Sequence, residues 1–247
     1  MKGAARSGLV LAALVVAAIL APVSLGSGEV TVPITTDSEV RFPLQVRLLR
    51  SEIPARGAVP AALHLGGRIH EEYSRPPELR ELRLEGDRHV RLDVTGLPTC
   101  GLRKLPTGPP PSSKCADAIV GRGFASIESG FPENMPIDVP TDLTVYNAGV
   151  EKGVTRLWIA GYLSPIEDAP IFVPVKVRKV SKGKYGWEAV ASVPPIWEGH
   201  GSITIFNLTL HRRVISATCP GGSLLAATQS TFWDGTVFAT KYRQRCR

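Results

Sequence analysis

The chain has no C-x-x-C pair, no H-x-x-x-H spacing and no G-x-S-x-G turn among its 247 residues. Their absence excludes a two-histidine metal site on one helix, dithiol redox chemistry and the strained serine elbow of an α/β-hydrolase. Its five histidines, His64, His70, His89, His200 and His211, are scattered, and none lies close to a cysteine. Charge of one sign is also missing. The 29 basic residues face 22 acidic ones, and Arg75, Arg80, Arg83, Arg88 and Arg91 are interspersed with Glu78, Glu81, Glu85, Asp87 and Asp93. That is the pattern of a solvated, mixed-charge strand face. A nucleic-acid groove wants clustered cations with aromatics between them, so nucleic acid is not an expected partner.

The N-terminus supplies the compartment. Lys2 and Arg6 form a short basic head, Leu9 to Leu20 is an uninterrupted apolar run, Pro22 breaks it, and Ser24 and Gly26 stand at the −3 and −1 positions of a cleavage after Gly26. The run has the length of a signal-peptide core and falls short of the roughly 20 apolar residues of a bilayer crossing. Residues 1–26 are therefore read as a cleavable leader, and the mature chain as secreted or on the extracellular face of the cell envelope. Membrane involvement is expected only through that export signal. Taking away Lys2 and Arg6 leaves 27 basic against 22 acidic residues, a modest excess.

Four cysteines in an exported chain imply disulfides, because the compartment is oxidising. Three pairings are open. Cys100 with Cys115 and Cys219 with Cys246 are favoured, since each joins neighbours in sequence and closes a loop rich in turn residues. The first loop holds Pro106, Gly108, Pro109, Pro110 and Pro111, which can form neither helix nor central strand.

After the leader almost every periodic segment has period two. Val90, Leu92 and Val94 alternate with Arg91, Asp93 and Thr95; Val173, Val175 and Val177 alternate with Pro174, Lys176 and Arg178. Further β-rich runs are expected at Arg41–Leu48, Leu79–Glu85, Gly123–Ser129, Asp142–Tyr146, Thr155–Tyr162, Tyr185–Val193, Ser202–Leu210, Leu224–Phe232 and Val237–Arg243. Gly, Pro, Asn and Asp clusters separate them. The expectation is an all-β fold, an antiparallel β-sandwich with barrel-like closure as a variant. Asp234-Gly235 reads as a hairpin with both central residues at positive φ, and Cys115–Val120 as the one short helical turn. Residues 27–58, interrupted by Pro33, Pro43 and Pro54, read as an extended lead-in arm or edge strand, with the main domain over 59–247.

No catalytic, cofactor or metal constellation emerges. Glu71-Glu72 and Glu167-Asp168 are adjacent carboxylates, but their separation in space cannot be read from the chain. Trp197, expected at a loop tip beside Pro194-Pro195, and His200 in a Gly-flanked loop are the candidate ligand contacts. The reading is a non-catalytic binding or structural domain facing an envelope polysaccharide or a surface protein. Its rival is a secreted hydrolase acting on polysaccharide or ester. A third reading has the proline-interrupted arm completing another protein's sheet.

One skeleton runs through the C-terminal part: Val94-Thr95-Gly96-Leu97-Pro98-Thr99-Cys100, Cys115 with Ala118 and Gly121-Arg122-Gly123, Val145-Tyr146-Asn147-Ala148-Gly149, Ala217-Thr218-Cys219-Pro220, and Asp234-Gly235-Thr236 before Cys246. In this it resembles a family of exported bacterial β-rich proteins with two cysteine pairs. The resemblance covers roughly the last 60% of the chain and supports the cysteine pairing and a compact β domain. It implies no activity.

Overall fold

The computed structural model describes residues 29–31, 42–69, 75–108, 113–130, 136–164, 168–181 and 183–246. The leader 1–26 and the carboxylates Glu71, Glu72 and Glu167 lie outside them. Fifteen strands are found among the described residues: β1 (Glu29–Thr31), β2 (Leu44–Leu49), β3 (Val59–Pro60), β4 (Ala62–Arg68), β5 (Leu79–Asp87), β6 (Val90–Leu92), β7 (Ile119–Ser129), β8 (Ile137–Glu151), β9 (Val154–Leu163), β10 (Ala169–Lys179), β11 (Tyr185–Ser192), β12 (Gly201–Leu210), β13 (Ile215–Ala217), β14 (Ser223–Phe232) and β15 (Val237–Arg245). The expected helical turn is present as 3-10 structure over Ser113–Ala118.

Twelve strands form one antiparallel sheet in the order β1-β15-β14-β5-β11-β10-β9-β8-β7-β12-β4-β2, and β3-β13-β6 form a small second sheet. From β15 to β2 the large sheet curls until its ends almost meet, so the expected sandwich is a nearly closed barrel. Period-two alternation fixes which face turns inward. On β5, Leu82 and Leu84 are buried while Arg83 and Glu85 are half-buried on the outside, and a bulge between Leu79 and Glu81 brings Leu79 to the inner face as well. Apolar inside and charged outside is the reverse of a membrane-spanning barrel.

Proline placement follows the pairing. Pro140 faces only β7, because β9 joins β8 from Thr144 onward; Pro170 and Pro174 face only β9, because β11 joins β10 from Val175 onward. Each proline sits where its strand has one neighbour, so its missing N–H costs no ladder bond.

Both disulfides are present as favoured, Cys100–Cys115 and Cys219–Cys246, and they fit an oxidising compartment. The Cys100–Cys115 loop lies on the outer wall, where Cys100, Leu105, Cys115, Ala118 and Ile119 cover Tyr146 and leave it 0% exposed. Among the described residues no helix is long and apolar enough to cross a membrane.

The Asp234-Gly235 hairpin forms, with a different turn from the one expected. Only Gly235 has positive φ (91°). The Gly235 N–H donates to Phe232 O and the Phe232 N–H to Thr236 O, which makes a type I turn followed by a glycine bulge. Asp234 favours this form because its carboxylate accepts the Thr236 N–H and hydroxyl.

Of segment 27–58, β1 pairs with β15 and β2 pairs with β4. Phe42, Leu44, Leu48 and Ile53 are buried in the core.

Candidate functional site

The barrel is hollow. A cavity of about 140 Å³ runs between the inner faces of β4, β5, β7–β12 and the end of β6. Its walls follow from the alternation: Ile171, Val173, Val175 and Val177 from β10, Leu157 and Ile159 from β9, Leu79, Leu82 and Leu84 from β5, Phe206, Leu208 and Leu210 from β12. Space is left because Ala125, Ala189 and Ala191 take inward positions that larger side chains would fill. From Ile171 to Val177 the lining extends about 20 Å at ~3.3 Å per residue, so the cavity is elongated along the strands.

Among the described residues no titratable or nucleophilic side chain lines it. A void of this kind stays dry, since water would find no hydrogen-bond partner. Left unfilled, it costs the fold about 3 kcal/mol at roughly 24 cal/mol per Å³.

Apolar side chains pack at both ends. At one, Ile196 and Trp197 pack with Ile127, Val139 and Leu163. The turn carrying them is left-handed at three successive residues, Trp197 (φ 48°), Glu198 (54°) and Gly199 (96°). Such backbone is held only by surrounding contacts. Ile196 O accepts the N–H groups of Gly199, His200 and Gly201, Arg75 Nη2 donates to Gly199 O (3.0 Å) and Glu78 Oε1 (3.3 Å), and the Gly130 N–H donates to His200 O. Burial raises the Glu78 pKa against the lowering charges of Arg75 and His200; burial and then Asp138 raise that of Glu128. At the other end Val90, Val94, Ile215 and Ala217 of the small sheet and its flanks join the main core.

A seam remains between β2 and β15, and one side chain sews it. Gln244 Nε2 donates to Leu48 O (2.9 Å) and its Oε1 accepts the Leu48 N–H (2.8 Å), a side-chain amide standing where a strand would. Beside it lies a second cavity of about 30 Å³, which shares Leu63, Leu84 and Trp187 with the first and adds Asp87, Tyr242 and Gln244. Asp87 is 5% exposed. Its carboxylate accepts the His89 N–H (2.9 Å), His89 Nδ1–H (2.8 Å) and Leu225 N–H (3.0 Å).

The two candidate contacts are placed differently from each other. Trp197 is on a turn, as expected, but its indole is 7% exposed and serves as a plug, because β12 and the Ile196 bridge fold the turn inward. His200, on the same turn, is half-buried beside Glu78. Asp168 opens β10 and is exposed. Among the described residues no group of His, Cys, Asp or Glu is gathered for a metal. Sequence reasoning missed the cavity and Gln244. The readable signal for the cavity was the small residues, Ala125, Ala189 and Ala191, on inward positions of the strands.

His64 Nδ1 lies 3.0 Å from Thr209 Oγ1 on the outer wall. Burial, then the Arg47 charge, hold its pKa below the ordinary 6.5; burial, then Arg213 and Arg122, do the same for His211. The unfolded chain takes up these protons more readily, so their contribution is complete above pH 6.5 and is lost as pH falls below it. The raised Glu78 and Glu128 act oppositely, adding stability as they protonate. Lowering pH from about 7.5 to about 5.5 is expected to reduce the thermal midpoint, and a His64→Gln, His211→Gln double variant to flatten or reverse that slope. An unaltered slope in the double variant would refute the assignment.

No family model, curated protein or solved structure matches the chain.

Proposed function

We propose that the protein is an exported binding protein that holds a small apolar ligand inside its barrel. The observation that carries this is the elongated cavity of about 140 Å³ with walls of hydrocarbon alone. An apolar void of about this size takes up a benzene-sized guest, and the guest recovers contacts that the empty fold lacks. Such a cavity suits binding by burial, with shape as its discriminator. Polysaccharide or ester hydrolysis needs an acid, base or nucleophile at the reacting atom, and these walls hold none. The leader pattern and the oxidised cysteines support a place outside the cytoplasm.

The test is a titration of the mature protein with an apolar fluorophore whose emission rises on leaving water. Saturable binding near one equivalent is expected. Ala191→Phe fills the cavity from a central position and should abolish the signal while leaving the urea midpoint unchanged or higher. A variant that binds as well as the parent would place the fluorophore elsewhere and end the proposal.

A further inference from the structure

We infer that the ligand is a single-chain amphiphile with an uncharged, hydrogen-bonding head, its tail in the barrel and its head at the β2–β15 seam. This rests on the binding reading above and names the chemical class. The main cavity offers a hydrocarbon chain everything and a polar group nothing, so any head must lie where polar atoms begin. At the Trp197 end the polar groups, Arg75 and Glu78, bond to one another and to the turn, whereas the second cavity shares the Leu63, Leu84 and Trp187 walls with the first and brings Gln244 to them.

The head's chemistry follows from what lines that neck. An amide side chain has two N–H groups and two acceptor lone pairs. Gln244 gives one of each to Leu48, which leaves a donor and an acceptor for a third partner. A hydroxyl answers both. A carboxylate cannot donate, and it would face the buried Asp87 charge across a dry, small space. An ammonium cannot accept, and the Asp87 carboxylate is already engaged by His89 and Leu225. Arg47 does not reverse this preference. It also borders the neck, but alternation along β2 turns its side chain toward the outer wall, where its charge acts on His64.

The experiment displaces the bound fluorophore from the full mature protein with octane, octanol, octanoate and octylammonium, which share a chain and differ in head. Octanol is expected to compete about tenfold better than octane, the worth of one satisfied hydrogen-bond pair, and better than either ion. Gln244→Leu should erase the ratio between octanol and octane, a readout within one variant that does not depend on how firmly the seam closes, and circular dichroism checks that the variant is folded. Asp87→Asn should improve octanoate relative to octanol, and this readout does not depend on the seam. Equal competition by octane and octanol with no effect of Gln244→Leu overturns this inference and spares the binding reading. Tighter binding of octanoate or octylammonium than of octanol overturns the uncharged head. Failure of all four to compete overturns both.

Discussion

Trp187→Ala is expected to destabilise the fold by about 3–5 kcal/mol, the range for deleting a large buried aromatic. Trp187 is 5% exposed, lines both cavities, and donates its indole N–H to Val90 O at 3.0 Å. Truncation therefore merges two voids and strips a buried carbonyl of its donor. The ring lies directly over Gly86 of the neighbouring strand, where an added Cβ would overlap its Cε2 and Cζ2. Gly86→Ala should thus destabilise by displacing the same ring, and the Gly86→Ala, Trp187→Ala pair should lose less than the sum of the singles. Urea denaturation of the four proteins reads this directly. Additive losses would show that the ring and the glycine do not depend on one another.

Removing the Cys219–Cys246 bridge, as Cys219→Ser with Cys246→Ser, is the second large effect. The two are 27 residues apart, and the chain-entropy account gives about 3–4 kcal/mol for a loop of that length. Cys246 follows closely on Gln244, and the Cys246 N–H donates to Gly222 O, so the bridge holds the end of β15 against the turn before β14. Loss of the bridge frees the residue that sews the seam, and the midpoint should fall further than when Cys100 and Cys115 are replaced, a closure over 15 residues on the outer wall. The same urea series decides the order; a larger loss at the outer-wall pair would reverse this account of closure.

Much of the fold was legible because period two survives in this chain. Leu82 and Leu84, or Val173, Val175 and Val177, announce an inner face by themselves, and both cysteine pairs were readable from the turn chemistry between them. What escaped was volume. An inward row of Val and Leu looks the same whether the facing row meets it or leaves a gap, and the gap depends on Ala189 and Ala191 opposite, on strands whose partners no local pattern names. Trp197 escaped for a related reason: a turn sequence tells where the chain reverses, and tertiary packing decides whether the side chain points out or in. Gln244 sits among Lys241, Arg243 and Arg245 and has the composition of an ordinary exposed strand end. Its role exists only once β2 has come round to meet it.

Leu48 and Gln244 are separated by 196 positions, so the barrel is joined through strands near the two ends of the described chain. A polypeptide emerging amino end first cannot complete this ring until Gln244 has appeared. For that interval β2 and the growing edge offer unsatisfied peptide groups to any passing strand. Such long-range topology folds slowly, and the open edge is where aggregation would begin during that interval.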